Sequence, residues 1–412
     1  MTTVKTCIRF LVIAFLMINM PSVAFFDNRY IPLFERTYTR TIEKPSNAYA
    51  EPFFTTADRA FDQNNNEIHI PLLEGKYDQN DLANAMVAIG LPNPLRPEWQ
   101  GARLPWKIHG KIQTQGVTFA YNQAVGDWVS LGLAWYIVRA DSAHEFFLEL
   151  GNVSGVSLQA GDIIELDEVR RMMHTQLGLS NNQSSQVSVG DIDFYLRAGH
   201  IWEYVLKCRR VDAGLKLGVL IPAAQQRCIN VPASIPLGGS GHWGFYAAVD
   251  AEFELKEDWN LGFFMRLSKR MTRTRNERMP AAGEPHIFGA LSGLVEIEPG
   301  VNFVFSPYFA FENLRDGLGA KAQLTLTHHD NDYWADKRPD RTVEAKLRET
   351  NRLSEWATDY VTLNVFYDFG KLKVDRGFSP VLSLFWDIPL VYFISEQGIK
   401  AHRVSVGIEF KF

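Results

Sequence analysis

The stretch from His402 to Phe412 alternates without a break. Val404, Val406, Ile408, Phe410 and Phe412 are apolar, while Arg403, Ser405, Gly407, Glu409 and Lys411 are small or polar. Successive side chains of an extended strand point to opposite faces, so this stretch has one wet face and one apolar face. An apolar face of that length has to be covered, either by a second layer of protein or by lipid.

The same alternation starts at Trp106 and persists to the end of the chain. It predicts strands at about 107–123, 127–139, 143–152, 191–207, 211–224, 241–256, 259–273, 295–313, 318–330, 356–371, 379–391 and 400–412. In 242–256, Trp243, Phe245, Ala247, Val249, Ala251, Phe253 and Leu255 share one face, and His242, Gly244, Tyr246, Ala248, Asp250, Glu252, Glu254 and Lys256 share the other. A strand in a soluble protein is commonly about 5–6 residues long, whereas a tilted strand crossing a bilayer needs about ten. No segment after the N-terminus is long and apolar enough for a membrane-spanning helix.

The N-terminus is built differently. Lys5 and Arg9 precede an apolar run from Phe10 to Met17, and Ser22-Val23-Ala24 follows. That is the three-part plan of a secretory signal peptide, 1–24, with cleavage expected after Ala24. Residues 25–104 are rich in proline and mostly irregular. One helix is predicted between Asp78 and Ile89, capped by Asp78 or Asn80 and stopped by Gly90 and Pro92. This segment is expected to be a periplasmic domain or a partial lumen plug.

The terminal strand resembles that of Gram-negative outer-membrane β-barrels, in which a C-terminal Phe with alternating apolar residues before it is read by the barrel-assembly machinery. Here the matching residues are Val404, Val406, Ile408, Phe410 and Phe412. The resemblance implies an all-β fold: a transmembrane antiparallel up-and-down β-barrel of about 12 strands, with 14 as the alternative, over residues 105–412. The connections agree with it. With Phe412 set in the periplasm, the short turns near 372–378, 313–317, 257–258, 208–210 and 140–142 fall inside, and the long loops 331–355, 274–290, 225–240 and 153–190 fall outside. One stretch, 286–298, alternates but would make the count odd; it is expected to extend the next strand or to fold over the mouth. A helix over 163–179, with Asp162 as cap, is expected on the rim or folded inward.

The inward face carries charges of both signs. The candidate pore-lining residues are Asp193, Arg197, Glu203, Lys216, Asp250, Glu252, Glu254, Arg266, Arg270, Lys321, Asp368 and Arg403, with Glu145 in the same set. A charge on the lipid face costs about 2–4 kcal/mol at the midplane, so a consistent phase points to a polar interior. Arg266 and Arg270, with Arg273 to Arg278 beyond, form one basic cluster that could attract anionic solutes or pair with Glu277, Glu284 or lipopolysaccharide. Trp128, Trp135, Trp202, Trp243, Trp259, Tyr308, Tyr360, Trp386 and Tyr392 are expected in outward aromatic girdles.

Catalysis is not indicated. Ser240 and His242 stand in the reverse of the order that a barrel phospholipase needs, and His328 and His329 point to opposite faces of a strand. No cofactor is implied. The formal net charge of −5 gives no reason to expect nucleic-acid binding. Cys208 and Cys228 are expected at opposite ends of a strand, too far apart for a disulfide. The expected function is that of an outer-membrane porin-like channel for small hydrophilic solutes. A plugged transporter resembling the fatty-acid transporters and a structural or adhesive barrel are the alternatives. Its partners would be outer-membrane lipid and lipopolysaccharide, the assembly machinery and the solute, with room left for a homo-oligomer.

Overall fold

The computed structural model describes residues 28–36, 40–180, 182–371 and 379–412. The expected signal peptide and the expected turn at 372–378 lie outside these residues. Twelve strands close into an antiparallel barrel: β1 (Asn47–Ala57), β2 (Pro105–Ala124), β3 (Val129–Leu148), β4 (Ile192–Glu203), β5 (Arg210–Ile221), β6 (Gly244–Lys256), β7 (Trp259–Arg270), β8 (Val301–Arg315), β9 (Leu318–His329), β10 (Trp356–Asp368), β11 (Ser379–Leu390) and β12 (His402–Lys411). No helix among the described residues is long and apolar enough to cross a membrane.

Closure is made by β1, which pairs with β12 from Asn47↔Lys411 to Thr56↔His402 and with β2 from Asn47↔Asn122 to Ala57↔Ile112. The barrel strands therefore do not start at residue 105, as the alternation alone suggested. β1 was hidden because Pro52 interrupts its pattern and its outer face is small (Ala48, Ala50, Pro52). The β1–β12 ladder skips Glu51 and Pro52, which places the residue without an N–H where a ladder bond is already missing.

A second correction keeps the count at twelve. The turn expected at 140–142 does not exist; β3 runs unbroken from Val129 to Leu148. Arg139 and Asp141 lie on its outer face and pair with each other at 3.0 Å, so their polarity marks the part of the strand beyond the apolar band rather than a turn. The false turn also inverted the phase above it. Glu145, expected inward, is exposed, while Ser142 on the opposite phase is buried.

On the outer face, Phe194, Leu196, Leu217, Phe245, Leu267, Leu363, Leu384 and Val404 are all at least a third exposed, as a band facing lipid requires. Trp128, Trp202, Trp243, Trp259, Trp386 and Tyr392 are exposed outward aromatics. Tyr308 and Tyr360, expected among them, are buried instead and face the lumen. Their phenol groups need hydrogen-bond partners, which the lumen supplies: Tyr308 donates to Glu252 at 2.8 Å and Tyr360 to the Ile399 carbonyl at 3.1 Å.

All long connections lie at one end of the barrel and build a cap there. Helix α1 (Gln79–Ala88), capped by Asp78, packs with helix α2 (Ala160–Gln176) around Leu82, Met86, Trp99, Leu166, Met173 and Phe288. The N-cap of α2 is Gln159; Asp162 completes its capping box rather than capping it directly. Residues 291–298 are not a barrel strand but the centre of a small sheet with 273–279 and 333–336 that lies over the mouth. Cys208 is buried, Cys228 is exposed, and both are free.

Removal of residues 25–104, the whole segment before the expected barrel, takes β1 with it and leaves β2 and β12 as open edges. The truncated chain is expected to fail to refold in detergent, losing the heat-modifiable gel shift of a closed barrel, whereas a chain lacking only 25–46 keeps that shift.

Candidate functional site

The N-terminal segment lies inside the barrel. At the long-loop end, Asn28 donates to the Pro236 carbonyl at 2.7 Å and Arg29 to the Leu353 carbonyl at 2.7 Å. Midway, Arg36 meets Glu51 of β1 and Asp387 of β11. Near the short-turn end, Arg40 pairs with Asp212 of β5 at 2.8 Å. Ser46 then exchanges backbone hydrogen bonds with Phe412, at 3.1 and 3.0 Å, and the chain turns upward into β1. The segment thus runs the length of the lumen before the first strand begins.

Its upper part forms an apolar septum. Tyr30, Ile31, Leu33 and Phe34 are all at most 7% exposed and pack with Tyr136, Leu220, Tyr246, Phe264, Val304 and Tyr360 from the wall. The rings of Phe34 and Tyr360 lie 4.9 Å apart. Burying one large apolar side chain stabilises by about 1.5–3 kcal/mol, so these residues hold the segment firmly. Two tyrosine rings lie against the wall because the residue paired with each on the neighbouring strand is a glycine, Gly218 beside Tyr246 and Gly262 beside Tyr308. A Cβ on Gly218 would come within 2.2 Å of the Tyr246 ring, and one on Gly262 within 2.3 Å of the Tyr308 ring.

Below the septum the segment is held by charge. Arg36 and Arg403 face Glu51 and Asp387, with Arg36–Glu51 at 2.7 Å, Arg36–Asp387 at 3.0 Å and Arg403–Glu51 at 2.6 Å. Ser405 and Tyr49 donate to Glu51, and Thr362 donates to Asp387. Arg40, Arg197 and Lys216 face Asp212, Asp250 and Glu35 in a second cluster, with Arg197–Asp212 at 2.9 Å. In both clusters the charges balance, and each takes cations or anions from the N-terminal segment and from the wall. Desolvation makes a lone buried charge expensive, so each cluster is stable only while both parts are present.

Of the candidates, Asp193, Arg197, Lys216, Asp250, Glu252, Arg266, Arg270, Lys321, Asp368 and Arg403 point into the barrel, and they do so mainly as members of ion pairs. Arg266 lies 3.4 Å from Asp193 and over the Tyr246 ring, and Arg270 lies 2.9 Å from Asp191. Arg210 links Glu252 and Glu254, and Lys411 pairs with Asp368 at 3.5 Å. Glu203 is exposed at the short-turn end of β4. Val404, Val406 and Ile408 face outward on β12, with Phe412 exposed at its end. Sequence reading missed Arg36, Arg40, Glu51, Asp212 and Asp387 as lumen residues; the first three lie before the expected barrel. Cavities of about 90 and 60 Å³ remain below the septum, and one of about 170 Å³ lies above it.

The top of the segment is latched to the cap through Glu74. Arg29 lies 2.8 Å from its carboxylate, Tyr30 donates to it, and His286 Nδ1 lies at 3.3 Å. Burial would raise the Glu74 carboxyl, but Arg29, His286 and Arg227 bring it down to about 2. Burial pushes His286 down to about 4, with Glu74 opposing and Arg227, Arg29 and Arg275 adding to the shift. Ser240 and His242 form no catalytic pair: His242 is buried and engages the Met271 carbonyl at 2.9 Å. His328 meets Asp330 and His329 meets Asp332, each on its own side. Among the described residues, no cluster of three His, Cys, Asp or Glu side chains is placed to hold a metal ion.

No protein-family model matches the chain, and no curated protein matches it. Its fold is similar to that of the COG4313 outer membrane channel from Pseudomonas putida F1, at 9% identity and a TM-score of 0.50, over 92% of this chain and 100% of that one. The NanC porin aligns over 73% of this chain and 93% of that one at 7% identity and a TM-score of 0.31. The Pseudomonas putida toluene transporter TodX aligns over 89% of each chain at 8% identity and a TM-score of 0.32. The fold is that of a Gram-negative outer-membrane β-barrel.

Arg36→Met leaves Glu51 and Asp387 sharing Arg403 and is expected to loosen the segment by about 3 kcal/mol. Faster hydrogen exchange at residues 31–36 and 40–46 would report it. Arg139→Ala, which breaks an exposed pair, should change stability by less than about 1 kcal/mol. The latch should also respond to pH. A released His286 takes a proton near pH 6.5, while the docked one resists until about 4. Docking is therefore at full strength above about pH 6.5 and weakens as pH falls toward 4, by roughly 3 kcal/mol at most. Exchange at residues 28–34, compared after intrinsic-rate correction, should quicken over that window, and His286→Gln should flatten the dependence.

Proposed function

We propose that the chain is an outer-membrane channel closed at rest by its own N-terminal segment, and that it conducts small solutes when that segment leaves the lumen. The observation that carries this reading is the placement of residues 28–36 and 40–46 down the barrel, with an apolar septum at 30–34 and balanced ion pairs below it. In this reading the short-turn end and Phe412 face the periplasm and the capped end faces outward. The alternating residues of β12 are the mark for the assembly machinery, and the exposed band contacts lipid.

The reading differs from an open porin in a physical respect. An open lumen leaves its charged lining hydrated, whereas here Arg36, Glu51, Asp387 and Arg403 are each at most 6% exposed and depend on one another. Opening must therefore break both clusters together or rehydrate them together. A transporter that releases its plug only on solute binding and a channel whose plug fluctuates are two forms of the same device.

Planar-bilayer recordings separate these readings from the rest. The full-length protein is expected to show low or rare conductance, and the chain lacking 25–46 steady openings. Steady openings of the full-length protein would overturn the plug and restore the open porin. Silence from both forms, with the barrel intact by heat-modified mobility, would overturn the channel and favour a structural or adhesive barrel.

A further inference from the structure

The cavity of about 170 Å³ above the septum is lined by arginines, of which only Arg29 belongs to the plug. Arg29, Arg227, Arg270 and Arg275 line it, against the carboxylates of Glu74, Glu277 and Asp332. Each carboxylate is already engaged. Glu74 holds Arg29 and Tyr30, Glu277 holds Arg275 at 2.8 Å, and Asp332 accepts from the Gly300 backbone at 2.9 Å and meets His329 at 3.0 Å.

Arg227 has no carboxylate partner among the described residues; its Nη1 meets only the ring nitrogen of His286, at 3.3 Å. That contact fits a neutral His286 whose Nδ1–H faces Glu74 and whose Nε2 accepts from Arg227. The nearby Arg273 and Arg278 likewise donate to carbonyls rather than to carboxylates. Arg29 pairs with Glu74, Arg270 with Asp191 and Arg275 with Glu277, which leaves Arg227 as the lining arginine without a carboxylate partner among the described residues. The shifts of the arginines agree: burial and then Arg227 lower Arg278, and burial, opposed by Glu277, together with Arg227 lowers Arg275. Arg227 Nε, Arg275 Nε and Trp334 Nε1, all on lining residues, are buried N–H donors without a hydrogen-bond partner among the described residues.

A polar cavity with an arginine that lacks a carboxylate partner and with unused N–H donors suits an anion with several acceptor oxygens. We propose that it binds a small soluble anion bearing a carboxylate or phosphate group, with Arg227 and Arg275 as the principal ligands and Trp334 at its edge. A lipid phosphate shares that chemistry. However, the side chain of Arg275, on an edge strand of the small sheet over the mouth, is only 13% exposed. Binding does not depend on conduction: Asn28, Arg29 and Tyr30 of the plug help to line the cavity, so the resting, plugged form is the one that binds.

The test is a titration of the detergent-solubilised full-length protein with inorganic phosphate and with succinate, read by calorimetry and by tryptophan fluorescence, with glycerol as the neutral control. Saturable binding of either anion and none of glycerol is expected. Arg227→Gln and Arg275→Gln should each weaken it by about tenfold or more, the loss of a charged hydrogen bond. Arg227→Lys should retain part of it, and Arg315→Gln, at the far end, all of it. Melting curves confirm that each variant is folded. Absence of saturable anion binding overturns the site, as does unchanged affinity in folded Arg227→Gln. Binding only of lipopolysaccharide, and not of the free anions, overturns the soluble ligand and assigns the arginines to the lipid surface.

Discussion

The structure depends on the pairing of β1 with β12. A sheet that crosses a bilayer cannot leave an edge, because no water is there to satisfy its N–H and C=O groups. Closure therefore has to recruit a strand from outside the alternating run, and Asn47–Ala57 is that strand. Because β1 begins at the same end at which β12 finishes, whatever precedes it must start from that end. Residues 28–36 and 40–46 lie in the lumen, and Ser46 is tied to Phe412 at the closing seam.

The lumen's charges follow from this placement. A narrow barrel with inward carboxylates on β1, β5, β6 and β11 would hold several buried anions if it were dry. Arg36 and Arg40 come from the entering segment to meet them, while Arg197 and Arg403 come from the wall. Neither half is stable in a dry lumen without the other, so the plug is specified by electrostatics below and by apolar burial at 30–34 above. The cap adds a third anchor at Glu74. Ion pairs below the septum are contacts that water can replace, whereas the septum itself is held by apolar burial.

Much of the barrel was legible because alternation is a local property. The phases of β4, β6 and β12 could be read directly: Asp193 and Arg197 inward, Phe245 outward, Val404 outward. Tyr308 and Tyr360 were misassigned because an aromatic ring suits a lipid girdle and a tight lumen equally well; only the partners of the hydroxyl decide. Arg139-Ala140-Asp141-Ser142 looked like a turn because polarity on the outer phase also occurs where a strand rises beyond the membrane. The lumen candidates were legible as a set of charges but not as pairs, since partners such as Asp193 and Arg266 are far apart in the chain, and Arg36, Asp212 and Asp387 were missed altogether.

By itself, the amino-acid sequence determined that the chain forms long amphipathic strands, about twelve of them, with short turns at one end and long loops at the other. Those features follow from side-chain alternation and from where glycine, proline and charge interrupt it, and both act over a few residues. Only the tertiary structure decided which segment closes the barrel, that residues 28–36 and 40–46 lie inside it, and that the arginines of the cap gather around one cavity. Those outcomes rest on contacts between residues hundreds of positions apart, such as Arg36 with Asp387, and on the cost of leaving either partner unpaired in a dry interior.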